Sequence, residues 1–106
     1  MYKTNRSKAC DISQKVKEIV WERDNQRCII CGSHYAMPNA HFIPRSKGGL
    51  GIEQNIVTLC SECHHKTDNT SQRQQMLSII EEYLKKHYKN WNKDNLIYNK
   101  WRDYGI

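Results

Sequence analysis

Two Cys-x-x-Cys pairs, Cys28/Cys31 and Cys60/Cys63, bracket a stretch that carries His41 and Asn55, and His64 follows the last cysteine directly. Zinc prefers four thiolate or imidazole ligands in a tetrahedron, and cysteines two residues apart on a tight turn supply two corners at the required angle. Two such knuckles close one structural zinc site at Cys28, Cys31, Cys60 and Cys63. Between and beside them lie an imidazole, an amide and a second imidazole, the groups with which one metal ion can hydrolyse a phosphodiester. Water attack on phosphorus needs a base for the water's proton, a cation to draw off charge in the transition state, and relief for the leaving 3′ oxygen. His41 is the candidate base, because an imidazole of ordinary pKa about 6.5 is partly neutral at physiological pH. The plain alternative for His41 is a half-buried strand histidine. The zinc would hold this chemistry in place without taking part in it.

Short elements must position these residues. Ile12, Val16, Ile19 and Val20 fall at i, i+4, i+7 and i+8, which predicts a helix over about 12–24, with Asp11 and Gln14 as a capping-box start. After the first knuckle, Asn39 to Ile43 predicts a strand that carries His41 on one face and ends at Pro44. Gly48, Gly49 and Gly51 permit positive φ and a sharp reversal, and the β-branched run Ile56 to Leu59 suits a return strand. Ser61 to Asp68 predicts a helix beside the second knuckle. Ser71 with Gln74 starts a longer helix in which Met76, Ile80, Tyr83, Leu84, His87 and Trp91 keep the helical period. Glu81/Lys85 and Glu82/Lys86 are i,i+4 pairs on its other side. In the tail, Trp91, Tyr98, Trp101 and Tyr104 mix with Lys93, Lys100 and Arg102. Such a mixture can stack on nucleic-acid bases, but in so small a domain aromatics more often cap the core.

A chain of 106 residues supports one small domain, whose modest core a structural metal would supplement. The formal charge of +6 suits a polyanionic partner, since each phosphate neutralised releases counterions. The excess sits on the flanks: residues 1–27 and 71–106 each carry seven Lys/Arg against four Asp/Glu, while 28–70 carry three against three. The amino-terminal stretch has no apolar export signal and no run is apolar enough to span a membrane, which predicts a cytoplasmic protein. In that reducing compartment the paired cysteines read as metal ligands rather than disulfides, and Cys10 is left over without a role.

The order His41, Asn55, His64, the run His41-Phe42-Ile43-Pro44-Arg45-Ser46-Lys47-Gly48-Gly49 and the run Asn55-Ile56-Val57-Thr58-Leu59-Cys60 resemble the HNH endonuclease family, in particular its short phage-type members, over residues 20–69. The resemblance implies an α+β fold, a ββα-metal core with a four-cysteine structural zinc and flanking helices. Residues 1–106 would form a single nuclease domain with its core over 20–69, a helix over 12–24 before it, and a helix and aromatic tail over 71–106. It also implies metal-dependent hydrolytic cutting of DNA, by nicking or double-strand cleavage, with His41, Asn55 and His64 as the catalytic set. His41 is then the general base, His64 binds the catalytic divalent ion, and the Asn55 amide holds the loop and orients the base. The bland reading of Asn55 is a turn asparagine. Zinc competes for His64, yet four cysteines already complete its tetrahedron. His65 points about 100° away on a helix, which leaves it as a phosphate or solvent contact. Arg45 and Lys47, beside His41, are candidates for the DNA backbone, against the alternative of a solvated loop.

One departure matters. Many family members carry Asp, Glu or His immediately before the general base as a ligand of the catalytic ion, and here that position is Ala40. Water could fill the gap, Asn39 or Asn55 could contribute an oxygen, or the ion could bind weakly and leave activity low. The expected cofactors are therefore structural Zn2+ and a catalytic Mg2+, Mn2+ or Ni2+. The expected partners are DNA and, by the phage resemblance, packaging or DNA-processing proteins in the host cytoplasm. Ala40 keeps a second class open, a catalytically weak zinc-stabilised DNA-binding module of such a complex. A zinc-ribbon protein-interaction module would leave His41, Asn55 and His64 unexplained.

Overall fold

The computed structural model describes residues 4–99. Its first element, α1 (Asn5–Cys10), is a short helix that the apolar pattern did not predict, capped by Thr4, whose side chain accepts from the Ser7 N–H. Asp11 closes this helix instead of opening the next, with its backbone N–H on the carbonyls of Ser7 and Lys8. The second helix, α2 (Gln14–Arg23), starts at Ser13, whose hydroxyl accepts from Val16 N. The expected start at Asp11 is thereby corrected by two residues: a serine hydroxyl one position before the helix satisfies an orphan N–H, and Ile12 lies in the connection. Of the expected apolar face, Val20 is fully buried while Val16 and Ile19 are half-buried.

Two strands form one antiparallel pair, β1 (Ala36–His41) with β2 (Ile56–Cys60). The first strand starts earlier than expected and stops at His41 rather than Ile43. The reason is local. Phe42 N donates to Asn55 O at 2.8 Å, and the Asn55 side chain takes over the polar groups of Ile43, replacing the ladder there. Register pairs Ala36 with Cys60 and Met37 with Leu59, then Ala40 with Val57 and His41 with Ile56. The shift of one residue puts Pro38 and Asn39 together opposite Thr58, a bulge that suits a proline without an N–H to donate. Helices α3 (Ser61–Asn69) and α4 (Arg73–His87) follow. Gln72 caps α4 without a side-chain bond, so the expected Ser71/Gln74 box does not form, and Thr70 Oγ1 accepts from Gln72 N instead.

The core lies between the sheet and α4. Met76, Ile80 and Leu84, one stripe of α4, pack with Phe42, Val57, Leu59 and Leu96. Trp91 lies beyond the helix, stacks edge-on against Phe42 at 5.6 Å and donates to Gln54 O, so this aromatic caps the core. Lys85 pairs with Glu81 at 3.1 Å as expected, whereas Glu82 lies 4.0 Å from the same lysine rather than pairing with Lys86. Lys100, Trp101, Arg102 and Tyr104 of the expected tail lie outside the described residues.

A buried polar group that the periodicity did not reveal joins three elements. The Arg23 guanidinium pairs with Asp24 at 2.7 Å and donates to the carbonyls of Glu53 and Ile56. Asp24 in turn accepts from Thr58 N on β2 and from the Tyr83 hydroxyl on α4. Among the three loop glycines, Gly48 alone has positive φ, at 81°. At Gly51 a Cβ would strike the Asp11 carbonyl, so there glycine permits close approach of the loop to the end of α1. No helix among the described residues is long and apolar enough to cross a membrane.

Candidate functional site

The four sulfurs of Cys28, Cys31, Cys60 and Cys63 lie within 4.8 Å of one another, from two separate stretches of chain. The first knuckle is turned by Gly32, whose φ of 79° lets its N–H reach Cys28 O at 3.0 Å. It is fastened to β2 by Ile29 N donating to Thr58 O. The second knuckle is a helix cap: Cys60 ends β2, and its sulfur accepts from Cys63 N in the first turn of α3. Burial pushes the Cys28 thiol up, but backbone N–H groups of Cys31, Cys60 and Ile30 outweigh it and bring the pKa down to about 7. Burial and the neighbouring thiols push Cys63 the other way. Four clustered sulfurs cannot all ionise without a cation to compensate them, and a thiolate quartet of this kind fits a structural zinc ion.

His41 stands at the end of β1, half-buried, with Nε2 2.9 Å from the backbone carbonyl of Cys10. A carbonyl can only accept, so Nε2 carries the proton and Nδ1 keeps its lone pair. Burial depresses the His41 pKa below its ordinary value; the charges of Arg45 and His64 push the same way, while the Cys10 carbonyl and Asp11 oppose them. Cys10, without an expected role, thus holds the imidazole through its main chain at the C-terminal end of α1. Nothing in a sequence marks a backbone carbonyl for such a task.

Asn55 is fully buried. Its Oδ1 accepts from Ile43 N at 2.8 Å, and its Nδ2 donates to Leu50 O at 2.8 Å and to Ile43 O at 3.2 Å. The amide thereby ties both ends of the loop between the strands, and the whole side chain is closed off from solvent. His64 lies on α3 with its side chain 37% exposed, and its Nε2 is 3.8 Å from Asp68 Oδ2. His64 and Asn39 line one open cleft of about 490 Å³ beside the first knuckle, together with His34, Tyr35 and Ser61. Arg45 and Lys47 occupy a short 3-10 turn, Arg45–Lys47, after Pro44. Both are exposed. Arg45 is engaged by α1, with Asp11 at 2.9 Å and the Ser7 hydroxyl at 3.5 Å. Ala40 is buried in the core cluster.

A two-stranded antiparallel sheet, the helix α3 behind its second strand and a four-cysteine cluster at their junction define a ββα-metal fold pinned by zinc-type knuckles. The model of the HNH endonuclease family matches residues 28–77. A protein named anaredoxin, from Nostoc sp. strain PCC 7120, is 35% identical over 54 residues, covering 50% of this chain and 71% of that protein. The chain belongs to the HNH endonuclease family.

Proposed function

We propose that this protein is a metal-dependent DNA endonuclease that hydrolyses phosphodiester bonds with His41 as general base, residues 1–106 acting as a single nuclease domain. The observation that carries the reading is the hydrogen bond from His41 Nε2 to the Cys10 carbonyl, which leaves Nδ1 as the acceptor for a water proton. Burial keeps that imidazole neutral at physiological pH. Asn55 acts by holding the loop that follows His41, not by touching substrate. His64 holds the catalytic divalent ion, and Mg2+, Mn2+ or Ni2+ would supply the charge that stabilises the transition state and the leaving 3′ oxygen. Lys47, exposed on the turn beyond His41, contacts the DNA backbone; Arg45 does so while braced by Asp11. Neither contact reads sequence.

The reading is tested by converting supercoiled plasmid to nicked and linear forms with zinc-loaded protein and added Mg2+, Mn2+, Ni2+ or EDTA. His41→Ala is expected to lower cutting by about a hundredfold or more, with zinc content and DNA affinity unchanged, and the wild-type ends should be 5′-phosphate and 3′-hydroxyl. A 2′,3′-cyclic end on RNA would point to a ribonuclease instead. A second reading, a zinc-stabilised DNA-binding module of a phage packaging or processing complex, is favoured by Ala40, which brings no ligand to the ion. Retained DNA binding without cutting in any metal would select it.

A further inference from the structure

We infer that Asn39 supplies, through its side-chain oxygen, the ligand to the divalent ion at His64 that Ala40 cannot. The inference rests on the nuclease reading and adds a residue to its metal site. Past the bulge, side chains of β1 alternate between faces. Ala40 and then Phe42 enter the core cluster, so His41 between them faces the other way, while Asn39, inside the bulge, is placed by the cleft it lines. His64 lies there too: Asn39 and His64, from β1 and α3, line the same cleft. The two nearby amides differ in what they have free. Asn55 spends its oxygen on Ile43 N and is fully buried, whereas the half-buried Asn39 amide has no hydrogen-bond partner among the described residues. A half-buried amide with no protein partner keeps its oxygen open to water or to an ion in the cleft. The bulge that gives Asn39 this position is fixed by Pro38 and by the strand pairs on either side of it. Asp68, 3.8 Å from His64 Nε2, adds negative potential beside the imidazole without occupying the cleft lining.

An amide oxygen and an imidazole make a weak, borderline site, which favours Mn2+ and Ni2+ over Mg2+; a carboxylate at the same position would harden it. The test is Mn2+ binding to zinc-loaded protein, followed by electron paramagnetic resonance of the free ion and by calorimetry, with melting curves and zinc content as controls on folding. Asn39→Ala is expected to weaken Mn2+ binding about tenfold, and Asn39→Asp to tighten it by a similar factor and raise Mg2+ binding relative to Ni2+. Wild-type affinity in both variants overturns the inference, as does a loss of binding confined to Asp68→Asn. If wild-type protein binds Mn2+ but Asn39 variants do not differ from it, only the inference fails. If no divalent ion binds at the cleft and His64→Ala changes nothing, the metal-dependent reading fails with it.

Discussion

At the scale of single residues the proposed chemistry turns on one proton. His41 presents Nδ1 because Nε2 is committed to the Cys10 carbonyl, so the tautomer is selected by the main chain of a helix far away in sequence. Its depressed pKa has a definite consequence. The charged form is disfavoured in the fold, so the base form persists to lower pH than in the unfolded chain, and a divalent cation nearby would push in the same direction. The acid limb of kcat/KM is therefore expected to fall with a midpoint below the ordinary histidine value of about 6.5, measured between pH 4.5 and 8 at saturating metal. A midpoint above that value would mean that another group limits the rate. The same depression makes the fold lose stability as pH falls through the ordinary histidine range toward the His41 pKa, because the unfolded chain takes up the proton first. Asn55 works at this scale too: one buried amide satisfies three backbone groups and closes the loop that aims His41.

Among the elements, α1 and the Arg23–Asp24 group decide whether the ββα unit is held still. The first helix brings the Cys10 carbonyl to His41, braces Arg45 through Asp11, and reaches the turn again through Arg6, which donates to the carbonyls of Arg45 and Ser46. Gly51 lets the loop approach that helix closely. On the other side, Asp24 links α2, β2 and α4 through Arg23, Thr58 and Tyr83, with its side chain fully buried and that of Arg23 nearly so. Removing one partner of such a pair strands a buried charge. Asp24→Ala is therefore expected to cost about 3–5 kcal/mol in urea unfolding of the zinc-loaded protein. A loss under about 1 kcal/mol would mean that water enters and solvates Arg23 in the variant.

For the whole molecule, the zinc-type cluster is the joint between the sheet and α3, and the remaining core is small: one stripe of α4 and one face of the strands. Chelating the metal is expected to abolish the cooperative thermal transition and the far-ultraviolet signature of the helices together, because binding energy at such a site is folding energy. A chelated protein that melts within a few degrees of the loaded one would assign stability to the apolar core alone. Much of this molecule is local and was legible as such. The cysteine quartet follows from spacing, the return strand at Ile56 from its β-branched run, α3 beside the second knuckle from its position, and the α4 stripe from its period. What only the tertiary structure decided depends on contacts distant in sequence. Strand pairing turns Ala40 into the core and Asn39 to the cleft, because a one-residue bulge is a property of two strands rather than of one. The grip on His41 comes from a backbone carbonyl of α1, which any residue type could have supplied and which only the folded chain brings within 2.9 Å.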